Sequence, residues 1–195
     1  MNRTAIPDSR PTTTHRHGLT TLLLLGLPFL VMVAGGWWYV RHELPYVNRV
    51  EFVSPLAAET LRIRHDAKGS GAFGAPRSGP RHHTGVDLLG QMGQPVYAIR
   101  SGRVREARYH RGFGYFVEVE HGKGLSSLYA HLSHLHVRRG ERVRQGHIIG
   151  TVGKSGNARS TLVAPHLHFE LRQARQPINP ASLAFFQARI VDAPE

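Results

Sequence analysis

The sequence predicts an all-β domain, an antiparallel β-sandwich or barrel, preceded by one transmembrane helix. Three observations carry this expectation. From residue 85 onward, short apolar runs alternate with glycine turns, and no long amphipathic helical pattern interrupts them. Two segments, GYFVEVE and PHLHFEL, alternate at the period of a strand. Far upstream, Leu19 to Val40 contains no charged residue.

That apolar run is the first element. Its 22 residues reach about 33 Å at helical rise, against a hydrocarbon core of about 30 Å. It exceeds the apolar region of about 7–15 residues usual in a signal peptide. Arg3, Arg10 and Arg16 precede it with a single acid, Asp8, so residues 1–17 are expected to stay cytoplasmic. Trp37, Trp38 and Tyr39 fall where an interfacial aromatic belt belongs on the far side. The expected topology is therefore a single-pass membrane protein anchored through residues 18–40, with the remainder of the chain on the far side. The competing reading is a signal peptide cleaved near Ala34, Gly35 and Gly36.

Residues 41–70 form a connector that holds one strand or a short helix. KGSGAFGAPRSGP, rich in Gly, Pro and Ser, reads as loop. The main domain is expected over 71–175, followed by an extension, 176–195. Within it, PVYAIRSGRVREARYH reads as two strands around a turn at Ser101 and Gly102. FGYFVEVEHGKGLSSLYAHLS reads as a hairpin turning at His121 to Gly124. GERVRQGHIIGTVG carries glycines at 140, 146, 150 and 153 around brief β-branched runs.

Composition limits the chemistry. With no cysteine, neither a disulfide framework nor a thiolate metal site is possible, so any transition-metal site must use His, Asp and Glu. The formal net charge is +12, from 25 basic residues against 13 acidic ones. Such a chain concentrates near anionic polymers. The arginines are scattered, with no basic helix or stacked-aromatic motif, which argues against a nucleic-acid partner. Murein or an anionic lipid surface is served equally well.

Five side chains carry the chemical signal: His83 and Asp87 in HTGVD, His131 in LYAHLS, and His166 with His168 in PHLHFEL. Three protein ligands with one position open is the arrangement of a catalytic zinc. Five candidates for three places leave two histidines for proton transfer or charge stabilisation. On a strand, His166, His168 and Glu170 share one face and Leu167, Phe169 and Leu171 the other, so both imidazoles enter one pocket. His83 and Asp87 would lie about 13 Å apart on an extended strand, too far to share an ion. Gly85 permits a sharp turn between them, which puts His83 at a loop end and Asp87 on the following strand.

These blocks, with FGAPRSGPRHHTGVDLL and GERVRQGHIIGTVGKSGNA in the same order and spacing, resemble the lysostaphin-like (LytM-type) zinc endopeptidases, which cut peptide cross-links in bacterial cell walls. The resemblance covers roughly residues 71–175. It implies an antiparallel core of the duplicated hybrid motif type, with the site in a groove across it. It further implies one Zn²⁺ per chain held by His83, Asp87 and His168. His131 and His166 would flank the attacking water, one orienting or deprotonating it and the other stabilising the developing oxyanion. No HExxH motif is present, so a histidine pair must replace the glutamate base of helical zinc proteases. Some family members place a tyrosine upstream of the first ligand; none occurs here between Tyr46 and Tyr97, and Arg77 is the candidate for that oxyanion contact. Glu170 reads as solvent-facing or as support for a ligand, and the remaining histidines as surface residues.

The resemblance implies peptidoglycan as the partner and a bacterial inner membrane location, single-pass, with the catalytic domain facing the periplasm or cell wall. One rival is a non-catalytic member of the same family that activates a cell-wall amidase; such members typically lose ligands, and none is missing here. A biotinyl or lipoyl carrier domain is a rival of another class. It needs a lysine on a hairpin, commonly between methionines, whereas Lys68, Lys123 and Lys154 have no neighbouring Met.

Overall fold

The computed structural model describes residues 31–192. Two units are distinct, residues 1–44 and 45–195. In the first, the described part is helical from Val31 to His42, with Trp37, Trp38 and Val40 exposed and the Trp38 ring stacked on His42. Most of the apolar run expected to cross a membrane lies outside the described residues. Among the described residues, no helix is long and apolar enough to do so.

The second unit is all-β. Its strands are β1 (Leu61–Ile63), β2 (His65–Asp66), β3 (Gly69–Ser70), β4 (Val86–Leu89), β5 (Pro95–Tyr97), β6 (Gly102–His110) and β7 (Gly114–Gly122). They continue with β8 (Leu125–Leu135), β9 (Arg142–Val143), β10 (Ile148–Val152), β11 (His166–Gln173), β12 (Gln176–Ile178) and β13 (Ile190–Asp192). The main sheet runs β13-β1-β4-β11-β8-β7-β6-β9, with β12 beside β11 and β10 bridging β8 to β5. Every pairing in it is antiparallel except β1 with β13.

The β7–β8 hairpin turns through Gly122, Lys123 and Gly124, all at positive φ. The strands expected around Ser101 and Gly102 exist, but they do not pair with each other. β5 joins β10 and β6 joins β7 and β9. Local alternation identifies a strand but not its neighbour, because a partner distant in sequence competes on equal terms once apolar faces are buried together.

Neither expected domain boundary marks the edge of the sheet. The connector contributes β1, which pairs with β4 at Ile63↔Leu88. The extension contributes β12, β13 and the fully buried Phe186. Leu61, Val86, Leu88, Leu167, Phe169 and Leu171 converge with Phe186 in one core. Each such side chain contributes about 1.5–3 kcal/mol of burial free energy. Their strands are thereby fixed with Asp87, His166, His168 and Glu170 on the opposite face.

Behind β8 a polar chain is closed without a stray donor. The Ile99 N–H donates to the Tyr129 hydroxyl (2.9 Å), which lies 2.9 Å from Ser127 Oγ, itself 2.7 Å from His121 Nε2. His121 Nδ1–H donates to the Ser101 carbonyl at 3.1 Å. Burial pushes His121 down to about 4, so this imidazole is neutral and structural rather than a surface residue.

Candidate metal centre and active-site groove

Asp87 and His168 are cross-strand neighbours, since β4 and β11 pair at His168↔Asp87. Register brings their side chains together across one pleat. His83 arrives from the loop before β4, and Gly85 sits at the bend between them. Its φ is not in the left-handed region; glycine is required there for space. A Cβ at Gly85 would lie 2.4 Å from the Phe169 carbonyl oxygen and 2.8 Å from Glu170 Cγ.

The result is a compact triangle of donors. His83 Nε2 is 2.9 Å from His168 Nδ1 and 3.0 Å from Asp87 Oδ1, and His168 Nδ1 is 2.9 Å from Asp87 Oδ1. All three residues are buried. The partners on the far side of each ring set the tautomers. His83 Nδ1–H donates to the Ala72 carbonyl at 2.9 Å, which leaves a lone pair on Nε2. His168 Nε2–H donates to Glu170 Oε1 at 2.9 Å, which leaves a lone pair on Nδ1. Two imidazole lone pairs and a carboxylate oxygen thus face one point, an arrangement that is repulsive unless a cation occupies it. Burial alone would depress His168, but hydrogen bonds to Asp87 and Glu170 outweigh it and hold the ring at about 9. Burial likewise opposes ionisation of Asp87, and the bonds from His168 and His83 hold its carboxyl well below the usual range. The donor set, its tight spacing and the absence of sulfur fit a zinc ion.

Glu170 is fully buried rather than solvent-facing. It accepts from Thr84 Oγ1 (2.7 Å) and from Arg172 Nε (2.7 Å) as well as from His168. A carboxylate on the outer nitrogen of a ligating histidine fixes its ring and raises its basicity.

His131 and His166 stand beside the triangle, with ring centroids 5.0 Å apart. Both present Nε2 toward the groove, because Nδ1–H is committed to a carbonyl in each: Ser155 O at 2.9 Å for His131, Ala164 O at 2.7 Å for His166. Burial, reinforced by the neighbouring histidines, pushes His131 down to about 3. Burial also lowers His166, against the opposing pull of Asp87. Both rings are neutral proton acceptors near neutral pH.

His131 has a positive φ of 61°, rare for a residue with a Cβ. It sits where β8 carries an extra residue relative to β7, between the pairs Tyr115↔Leu132 and Val117↔Tyr129. Such a bulge re-aims a side chain. Ser155 pins it, with its hydroxyl donating to Leu132 O (2.6 Å) and accepting from Tyr115 N (2.9 Å). Nothing in LYAHLS signals the bulge, although Ser155 lies in the block GTVGKSGNA.

Arg77 lines the groove. Its Nη1 donates to Ser70 O at 3.0 Å and its Nη2 lies 3.5 Å from Asp87 Oδ2. Arg64 is closer, donating from Nη2 to the same oxygen at 3.0 Å, and no sequence pattern singles it out. The groove is about 790 Å³, and its lining includes Phe113, His110, Asn157, Val163, Lys68 and Arg81. All five candidate site residues and Arg77 border it or lie on its floor.

Residues 81–180 match the model of Peptidase family M23. The chain belongs to this family. The M23 chain is 43% identical over 104 residues to the DD-carboxypeptidase/endopeptidase Mpg of Neisseria meningitidis, covering 53% of its own length and 23% of that protein. It is 36% identical over 97 residues to the peptidoglycan DD-endopeptidase ShyA of Vibrio cholerae, covering 50% and 22%. The M23 chain thus spans less than a quarter of the length of these relatives. Among solved structures, the catalytic domain of lysostaphin from Staphylococcus simulans is 34% identical, with a TM-score of 0.51 over 60% of this chain and 90% of that one. A zinc-containing peptidase from Vibrio cholerae is 27% identical, with a TM-score of 0.52 over 71% and 41%.

Proposed function

We propose that this chain is a zinc-dependent endopeptidase that hydrolyses peptide cross-links of bacterial peptidoglycan. The convergence of three lone-pair donors beside two neutral histidines carries the reading, because it supplies separate groups for metal binding and for proton transfer. The names of the relatives support the substrate class. Zinc held by His83, Asp87 and His168 would supply Lewis-acid polarisation of the scissile carbonyl and a lowered pKa for the attacking water. His131 or His166 accepts the proton of that water at Nε2, and returns a proton to the leaving amine. The other imidazole accepts the second hydrogen of the water at its Nε2 and orients it, and the Arg77 guanidinium stabilises charge on the carbonyl oxygen. The walls of the groove hold the peptide extended against the donors.

Digestion of purified cell wall by the full chain tests this. New peptide amino termini should appear, vanish in excess chelator and return when zinc is added. Unchanged hydrolysis in excess chelator refutes the metal, and a zinc-loaded protein that releases no peptide favours the amidase-activator reading.

We also propose an uncleaved membrane anchor over residues 18–40 with the catalytic unit on the outer side, supported by the uncharged run and its flanking charges. The protein should remain with membranes after a high-salt wash, which screens adhesion of a basic chain. A mature amino terminus near Trp37 would show a cleaved signal peptide instead.

A further inference from the structure

Arg64 lies outside the family match, in the segment expected to be a mere connector, yet it is 4% exposed and touches the metal centre. β1 brings it there: Ile63 pairs with Leu88, the Arg64 N–H donates to Asp87 O at 2.8 Å, and Asp87 N–H donates to Gly71 O at 2.8 Å. Ile63, Arg64 and Gly71 are thus all laced to the ligand strand through the backbone. Its guanidinium spans two carboxylates, with Nη2 on Asp87 Oδ2 at 3.0 Å and Nη1 paired with Asp66 Oδ1. Asp66 is anchored in turn. Its Oδ1 accepts from Lys68 N at 2.9 Å and its Oδ2 from Ala164 N at 3.1 Å. Ala164 is the residue whose carbonyl holds His166 Nδ1.

A single polar chain therefore runs from the loop before β11 through Asp66 and Arg64 to the outer oxygen of Asp87. Resting on the zinc reading above, we propose that Arg64, seated by Asp66, is a positioning residue of the metal centre. It occupies Asp87 Oδ2 so that only Oδ1 faces the ion, and through Asp66 and Ala164 the same clamp sets His166. The physical need is specific. A carboxylate with both oxygens free rotates or chelates through both, which changes the coordination number. A planar fork presents separate nitrogens to two carboxylates at a fixed spacing, whereas lysine offers one compact ammonium on a flexible stem. Outer partners of ligating groups typically contribute about 10–100-fold in metal affinity.

The experiment uses the full chain stripped of metal, with zinc affinity measured by competition with a chromophoric chelator and cobalt(II) as a spectroscopic probe of coordination. R64M should bind zinc about 10–100-fold more weakly and show an altered cobalt d–d spectrum. R64K should fall between R64M and wild type, and D66N, which leaves Arg64 in place, should move the same way by less. Circular dichroism and thermal melting report folding separately. A merely structural Arg64 lowers the melting temperature but leaves the cobalt spectrum and the affinity of the folded protein unchanged; that result overturns the proposal. Should R64M not fold, D66N decides: wild-type affinity and an unaltered cobalt spectrum in D66N refute the clamp. Failure of wild-type protein to bind zinc at all would instead strike the functional reading.

Discussion

His131→Ala should keep its zinc and lose peptide hydrolysis by about 10²–10⁴-fold, the usual contribution of a positioned acid or base. None of the three converging donors belongs to His131, and its Nδ1 is spent on Ser155 O. What the substitution removes is a neutral Nε2 acceptor beside the metal point. The backbone at this position is a second concern, since φ is 61° and alanine tolerates that region poorly. His131→Asn answers it, because asparagine enters the left-handed region more readily yet offers no base. Both variants should retain stoichiometric zinc by metal analysis and lose turnover alike. Loss of zinc from either, or near-normal hydrolysis by both, would remove His131 from proton transfer.

His168→Ala should have the opposite signature, with zinc and activity lost together. It takes one of three donors whose mutual distances are 2.9–3.0 Å. It also removes one donor from the buried Glu170, which keeps those of Thr84 Oγ1 and Arg172 Nε. Asp87→Ala should likewise abolish binding, but it leaves Arg64 and Arg77 facing an empty place, and removing one member of a buried pair costs about 3–5 kcal/mol. Its loss of metal must therefore be read beside a melting curve, which makes His168→Ala the cleaner variant. Zinc retained by His168→Ala while His131→Ala loses it would exchange the two assignments.

The site was legible in the sequence because its residues sit in patterns that obey local rules. PHLHFEL puts two histidines and Glu170 on one face of any strand, and β11 does so with Leu167, Phe169 and Leu171 in the core. HTGVD could not be extended and still bring His83 to Asp87, and the loop-to-strand bend follows. Glycine at 85 was legible as a requirement but not for its reason, which is the approach of the β11 backbone rather than a turn. Arg64 was illegible. An arginine in a segment of mixed polarity carries no period and no motif, and its importance arises only when β1 is laid beside β4.

The sequence by itself determined the donor chemistry and the alternation of strands, both of which depend on residue identity over a few positions; which histidines would ligate and which would move protons came only with the family resemblance. The tertiary structure alone decided which strands are neighbours, that β5 joins β10 rather than β6, and that β8 bulges at His131. It also decided that Glu170 is buried behind His168 and that a connector arginine holds the outer oxygen of Asp87. The physical reason is common to these. Pairing register and the burial of a charge depend on free energies summed over segments far apart in sequence, and such sums exist only once the core has closed.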